Sequence, residues 1–225
     1  MNLKTLYLRW IGVNAFGELF GLGLTLGLGF WIIYTFIDVG GVAGVLLSFA
    51  IAVLSGVIEA AIVGLAQWWA LHPWFPAISR LRWWLGTLGG ALTAYVLGYL
   101  PSTLMDLSQA AAPAEQAPMA EPPQWLVLLL AAALGAVAGA VLSFAQWLAM
   151  RRVVQGAKIW IPANMLAWAA GMPLIFLGID LANRGQPLWQ TLSLMSLVLL
   201  VTGAIVGAIH GAFLVRLARA TNKNH

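Results

Sequence analysis

Cysteine is absent from this chain of 225 residues, which excludes disulfide bonds, thiolate metal sites, thioether-attached haem and cysteine nucleophiles. Charge is also scarce, because Asp, Glu, Lys and Arg make up 8% of the residues, against about 25% in soluble proteins. The longest polar stretch, residues 108–124, is rich in Ala and Pro and lacks the apolar residues of a core. These shortages argue against a soluble domain, and the net charge of +4 does not indicate a nucleic-acid partner.

Apolar residues dominate what remains, at 62% of the chain and a mean hydropathy of +0.91. A helix needs about 20 apolar residues to cross a bilayer, and six segments reach that length. The sequence therefore predicts an all-α membrane protein, with residues 1–225 forming one polytopic domain in the lipid bilayer and an Ala/Pro-rich extramembrane loop near residues 106–123. No cleaved signal peptide is expected. The six predicted spans are residues 12–37, 42–71, 83–105, 124–150, 159–181 and 190–215.

The basic residues predict the orientation of these spans. Ten of the eleven fall on one side of the six-span threading, and only Arg184 falls on the other. Because Lys and Arg are enriched in cytoplasmic loops, we expect both termini in the cytoplasm and the chain in a bacterial inner membrane. Tryptophans should form an interfacial belt that is densest on the cytoplasmic side. The basic residues of that side are Lys4, Arg9, Arg80, Arg82, Arg151, Arg152, Lys158, Arg216, Arg219 and Lys223, and the acidic residues of the other are Asp38, Asp106, Glu115, Glu121 and Asp180.

One helical pattern occurs three times, as GVIEAAIVGLAQW at 56–68, GAVAGAVLSFAQW at 135–147 and, more weakly, GAIVGAIHGAFLV at 203–215. Small residues recur at every fourth position of each copy. This period places them on one helix face, where they allow a neighbouring backbone to approach closely. The predicted packing glycines are Gly56, Gly64, Gly135, Gly139, Gly203, Gly207 and Gly211.

The intervening helices repeat as well, since each begins with a tryptophan that is followed four residues later by a small polar residue. Those polar residues should lie at one depth and form hydrogen bonds to other helices. The expected partners are Gln67 and Gln146, whereas the third unit has Leu214 in place of the glutamine. The helix starts are Trp10 with Asn14, Trp83 with Thr87, and Trp160 with Asn164.

These patterns predict three parallel helical hairpins, at about residues 8–71, 81–150 and 158–216, related by a pseudo-threefold axis along the membrane normal. The glycine-rich even-numbered helices are expected to form the inner ring of this bundle, because close packing is most demanding near an axis. Pro173 is expected to kink helix 5.

The AQWLAMRR segment at 145–152, the AQWWAL segment at 66–71 and the starts at Trp10 and Trp160 resemble a group of uncharacterised multi-pass bacterial membrane proteins with tandem GLAQW-type hairpin repeats. The chain departs from that pattern at His72-Pro73, where the second copy has Arg151-Arg152. The resemblance implies the repeat architecture, and no activity follows from it.

Two ionisable residues inside the predicted spans are candidate binding residues. Glu59 lies in the middle of helix 2, where an acidic side chain costs about 2.5 to 3.5 kcal/mol, and the other two copies have Ala138 and Val206 there. His210 lies three positions further along its own copy, so the two side chains could meet near the axis. Each is also compatible with a purely structural role, and Glu18 is expected near the cytoplasmic interface as a hydrated or hydrogen-bonded structural residue.

Three functions remain open. The first is a non-enzymatic scaffold or accessory subunit that packs through its small-residue faces, with a membrane protein partner or a second copy. The second is a small transporter or proton pathway that uses Glu59 and His210 together with Asn14, Asn164, Gln67 and Gln146. The third is a haem- or pigment-binding subunit with His210 as ligand. No catalytic site, metal site or cofactor is expected, because metal-ligand spacing and phosphate-binding glycine loops are absent from the sequence.

Overall fold

The computed structural model describes residues 2–36, 40–111, 122–182 and 184–222, and within these ranges the chain is helical without β-strands. Six long helices confirm the predicted all-α fold, and a 3₁₀ turn at Ala157–Ile159 precedes the fifth. Helix 5 continues through Pro173. The helices are α1 (Leu3–Phe36), α2 (Gly41–Leu71), α3 (Arg80–Ala111), α4 (Gln124–Met150), α5 (Trp160–Ala182) and α6 (Leu188–Asn222).

Five of the described helices, all except α3, are long and apolar enough to cross a membrane. With 32 residues α3 has the length, but its middle contains four glycines and two threonines between Leu85 and Pro101, which lowers its hydropathy. Large apolar side chains are exposed along the outer surface, such as Leu54 and Leu129. The protein is therefore membrane-embedded and helical, and five of the six predicted spans correspond to helices that are long and apolar enough to cross a bilayer.

Each helix packs against its neighbours in sequence, and α6 packs against α1, which closes a ring of six. Among the described residues, no two even-numbered helices pack extensively against each other. The expected inner ring of α2, α4 and α6 is therefore wrong. The physical reason is that their glycines face the odd-numbered helices beside them and not the axis.

The contacts of these glycines follow one rule around the ring. The small-residue face of α2 contacts α3, that of α4 contacts α5, and that of α6 contacts α1. A Cβ atom at Gly139 would lie 2.6 Å from the carbonyl oxygen of Asn164, and one at Gly203 would lie 2.5 Å from that of Asn14. Since these distances are too short for a methyl group, the glycines allow backbone-to-backbone packing.

The two ends of the ring differ. At one end, here called the Trp end, α1, α3 and α5 begin and α2, α4 and α6 finish. Trp10, Trp83 and Trp160 are fully buried there, with ring centroids of Trp160 at 5.8 Å from Trp10 and 6.1 Å from Trp83. The belt prediction is therefore wrong for these three, because their rings point into the bundle.

Charged residues flank the two ends as the sequence pattern places them. The described basic residues of the predicted cytoplasmic group all lie near the Trp end, and Arg184 lies at the other, here called the far end, where it forms a salt bridge of 3.1 Å with Asp180. Helix α3 extends into the predicted loop as far as Ala111. Residues 112–121, which include Glu115 and Glu121, lie outside the described residues, as do Asp38 and Lys223.

Candidate functional site

A layer of polar side chains crosses the ring just above the three buried tryptophans. Gln67 on α2 donates a hydrogen bond to the Oδ1 atom of Asn14 on α1, at 2.9 Å. Gln146 on α4 donates to Oε1 of Gln67 at 3.2 Å and to the hydroxyl of Thr87 at 3.0 Å. It also accepts a hydrogen bond of 2.8 Å from Nε1 of Trp160. The layer therefore joins α1, α2, α3, α4 and α5.

Local helix geometry positions this layer. The side chains of Asn14, Thr87 and Asn164 each donate to the carbonyl oxygen of the tryptophan four residues earlier, at 2.8 to 2.9 Å. The structure brings Asn14 to Gln67 and Thr87 to Gln146, as the sequence pattern suggests. In the third unit the equivalent position is occupied by Leu214, which is fully buried. Because a leucine side chain cannot form a hydrogen bond, α6 supplies no equivalent of the glutamine side chain to Asn164.

A small chamber with several polar side chains in its wall lies on the far side of this layer, with a volume of about 20 Å³. Glu18 and His210, each 1% exposed, line it together with Glu59. The Oε2 atom of Glu18 and both ring nitrogens of His210 have no hydrogen-bond partner among the described residues. The interfacial position expected for Glu18 is therefore wrong, because α1 carries it one turn deeper into the bundle, against α2. The chamber is also lined by Asn14, Gln67, Thr87, Ala60, Val63, Ala91, Leu142 and Trp168.

A second and larger cavity of about 250 Å³, here called the vestibule, occupies the part of the bundle toward the far end. Its walls come from α1 to α5 and are almost entirely apolar or aromatic. Among the described residues that line it, Glu59 is the one charged side chain, and Tyr95 and Tyr99 carry the hydroxyl groups. Small residues in the wall, Ala91, Ala94, Gly98 and Ala138, leave the space open.

Glu59 lies between the two cavities, because it lines both. Its carboxyl group accepts a hydrogen bond from the hydroxyl of Tyr95. Gly21 on α1 allows the close approach: a Cβ atom there would lie 3.2 Å from Cα of Glu59. Glu18 precedes Gly21 by three residues and therefore lies on the same face of α1. The two carboxyl groups thus approach one chamber from adjacent helices.

The position of Glu59 differs in its two sequence equivalents. Ala138 on α4 also lines the vestibule, but Val206 on α6 is fully buried, and a Cβ atom at Gly171 would meet it at 2.8 Å. Helix α6 therefore packs tightly on α5 and contributes nothing to the vestibule wall. Of the three equivalent positions, only Glu59 on α2 therefore brings an acidic group to the vestibule.

Sequence reasoning brought several of the right residues together and missed others. Glu59, His210, Asn14 and Gln67 share the chamber, whereas Gln146 and Asn164 do not line it. Tyr95 and Tyr99 were missed, although two tyrosines four residues apart in an apolar helix could have indicated a polar face opposite Glu59. Among the described residues, no group of three His, Asp or Glu side chains is arranged to hold a metal ion.

The surroundings of His210 bear on the haem hypothesis. The imidazole packs against the ring of Trp160 with centroids 5.2 Å apart, and the adjoining chamber has room for a water-sized ligand. A macrocycle would need a far larger slot beside this side chain. The structure therefore offers no support for His210 as a haem or pigment ligand.

Comparisons of this chain with known proteins found no match. No protein-family model matches the chain, and no curated protein or solved structure is detectably similar to it. The two cavities and the side chains between them are therefore the features that bear on the function.

Proposed function

We propose that this protein is a membrane transporter for a small lipophilic organic cation, which it binds in the vestibule with the cationic group beside Glu59. The observation that carries the proposal is the composition of the vestibule. A cavity of about 250 Å³ with apolar walls contains a single carboxyl group at its inner end. Ligand sites of this kind are mostly apolar, with few polar groups that fix the orientation of the ligand.

The aromatic side chains beside Glu59 favour a cationic ligand over a neutral one. Tyr95, Tyr99 and Trp168 line the same cavity as the carboxyl group. Organic cations such as quaternary ammonium ions are attracted to the faces of aromatic rings, by about 0.5 to 2 kcal/mol per contact. A carboxylate in an apolar site is stabilised by a partner of opposite charge, which the ligand would supply.

The size of the vestibule limits the ligand. An apolar cavity of about 150 Å³ accommodates benzene, so 250 Å³ suits a cation with a short alkyl chain or one or two rings. Such a molecule would place its apolar part against Leu22, Leu134 and Ile175, which line the cavity.

The proposal includes the finer architecture that the sequence pattern suggests. Three hairpins, α1–α2, α3–α4 and α5–α6, would form a pseudo-threefold ring with six membrane crossings, and α3 would cross inside the ring. The regular contacts of the glycine faces from one hairpin to the next support this arrangement. The arginines near the Trp end support a cytoplasmic location for that end and for both termini, in a bacterial inner membrane.

The scaffold function stays a prediction without a structural argument in its favour. It relies on small-residue faces that a partner could occupy. The seven packing glycines all face other helices of this chain, so none of these faces is free for a partner. The vestibule, by contrast, has no explanation in a purely structural role.

Substitution of Glu59 tests the proposal. We expect Glu59→Gln to weaken binding of n-octyltrimethylammonium by at least about tenfold, because loss of one member of a buried charge pair costs about 2 kcal/mol or more. Calorimetric titration of the protein in nanodiscs, with empty nanodiscs subtracted, measures the affinity. Proteoliposomes should accumulate the same cation through the wild-type protein and not through Glu59→Gln.

Two controls make this test specific. Asp180→Asn removes an equal charge at the exposed far end, 53% accessible, and should leave the affinity within about twofold. The anion n-octyl sulfate, with the same alkyl chain, should not compete with the cation. Equal affinity of wild type and Glu59→Gln would reject Glu59 as the binding group, and absence of cation binding to wild type would reject the proposed function.

A further inference from the structure

We infer that the chamber is a proton-binding site in which a water molecule links Glu18 to His210, and that a cation entering the vestibule beside Glu59 displaces this proton. The inference rests on the proposed function and adds the coupled ion to it. The chamber is a second site that shares part of its wall with the vestibule, and Glu59 is the ionisable side chain in that shared wall.

Unpaired polar atoms are buried in the wall of the chamber. Within the part of the chain that the structure describes, the Oε2 atom of Glu18 and both nitrogens of His210 are buried without a hydrogen-bond partner, and each side chain is 1% exposed. Buried polar groups in folded proteins almost always have a partner, either in the protein or in ordered water. Two such groups on the wall of one cavity indicate a ligand that offers hydrogen bonds to both.

The size of the chamber suits a single water molecule. Its volume of about 20 Å³ exceeds the 10 to 15 Å³ that a single water molecule requires, and leaves little more. A water molecule has the donors and the acceptor that a carboxyl group and an imidazole need, and it can pass a proton between them. An organic ligand or a hydrated metal ion is too large.

Glu59 lies in the wall that the chamber and the vestibule share. It lines both the chamber and the vestibule, so a positive charge beside its carboxyl group in the vestibule lies one side chain away from the chamber. Two positive charges in so apolar a region repel each other strongly. The entering cation therefore favours departure of the proton, and by linkage protons weaken binding of the cation to the same extent.

The groups that titrate around this unit come from four helices. Glu18 is on α1, Glu59 on α2 and His210 on α6, and Tyr95 and Tyr99 face Glu59 from α3. Helices α4 and α5 contribute Leu142 and Trp168, which carry no titratable group. In the displacement step an O–H or N–H bond of the chamber breaks and the proton leaves on solvent water, so that one positive charge enters and one departs.

The first arm of the test examines the chamber alone. Infrared difference spectra of the wild-type protein in nanodiscs, recorded between acidic and alkaline buffer, should contain the carbonyl band of a protonated carboxyl group. We expect Glu18→Gln to remove a band and His210→Gln to move it, because the two side chains share one hydrogen-bonded unit. His210→Phe retains packing against Trp160 and replaces His210→Gln if that variant does not fold.

The second arm measures coupling. Addition of n-octyltrimethylammonium, whose charge cannot titrate, to a weakly buffered sample with a pH-indicator dye should release about one proton per bound cation, the number that keeps the charge of the site constant. The release per bound cation should fall to less than about half in Glu18→Gln and His210→Gln, since these variants lack one of the two linked groups. Ser143→Ala, a buried hydroxyl bonded within α4, should release as much as wild type.

The outcomes separate the two proposals. Cation binding without proton release, or equal release from wild type and both chamber variants, overturns this inference and leaves the proposed function intact. Absence of cation binding overturns the proposed function, and the infrared arm then decides the chamber by itself. Spectra that neither Glu18→Gln nor the His210 variants change overturn the proton site.

Discussion

The two ends of the helix ring are built from the same six helices and are packed in opposite ways. At the Trp end, three tryptophan rings and the side chains around them form a continuous buried cluster. Toward the far end, the buried cluster consists of only Leu22, Ile175 and Leu199, beside the vestibule. The difference lies in side-chain volume, because α1, α3 and α5 each direct a tryptophan inward at the Trp end, whereas α3 and α4 line the vestibule with alanine and glycine. The same six helices thus form a closed end and a cavity without a change of fold.

The largest expected effect comes from truncation of Trp160, whose ring contacts the other two tryptophan rings at the Trp end. Trp160→Ala should lower the free energy of unfolding by about 3 kcal/mol or more, because it leaves a cavity next to Trp10, Trp83 and His210. Trp125→Ala at the far end, where the side chain is 67% exposed, should change it by less than about 0.5 kcal/mol. Unfolding in mixed micelles with increasing SDS measures both. Similar losses in the two variants would mean that the two ends are equally packed.

A smaller effect is expected from adding one methyl group in each half. Gly139→Ala should destabilise the protein by about 1 to 3 kcal/mol, because its Cβ atom would lie 2.6 Å from the Asn164 carbonyl oxygen. Gly98→Ala, on the vestibule wall, has no atom within 4 Å of its Cβ position and should be neutral or stabilising by up to about 1 kcal/mol. The same SDS titration compares them. Tolerance of Gly139→Ala would refute backbone contact between α4 and α5.

The polar layer should contribute least. Gln146→Leu removes hydrogen bonds to Gln67, Thr87 and Trp160 and should cost about 1 kcal/mol, since interhelical hydrogen bonds in membranes average about 0.6 kcal/mol. Gln190→Leu, an exposed glutamine at the start of α6, serves as the matched change at the far end. Thermal unfolding monitored by tryptophan fluorescence resolves the difference. A loss no greater than that of Gln190→Leu would mean that the layer adds no stability.

Periodicity and length were sufficient to predict much of the fold. The six helices lie within a few residues of their predicted bounds at most ends, because runs of apolar residues between charged or proline-containing turns define them directly. The pairs Asn14 with Gln67 and Thr87 with Gln146 also followed from the sequence, since equal distances from repeated tryptophans place side chains at equal depth.

The direction in which each helix face points could not be predicted. A stripe of small residues shows that something packs there, and it does not show whether that partner is the axis or a neighbouring helix. The same ambiguity led to the wrong assignments of Trp10, Trp83 and Trp160 to the membrane interface and of Glu18 to a position near the cytoplasmic interface. Tyr95 was missed for a related reason, because its partner Glu59 lies 36 residues away on another helix.

Trp160 contacts both of the other inward-facing rings, and its indole nitrogen is bonded to Gln146. The Trp160 ring therefore links the other two, which make no ring contact with each other among the described residues. A passage through that end would consequently depend on one side chain, because displacement of the Trp160 ring breaks its contacts with both other rings and its bond to Gln146 together.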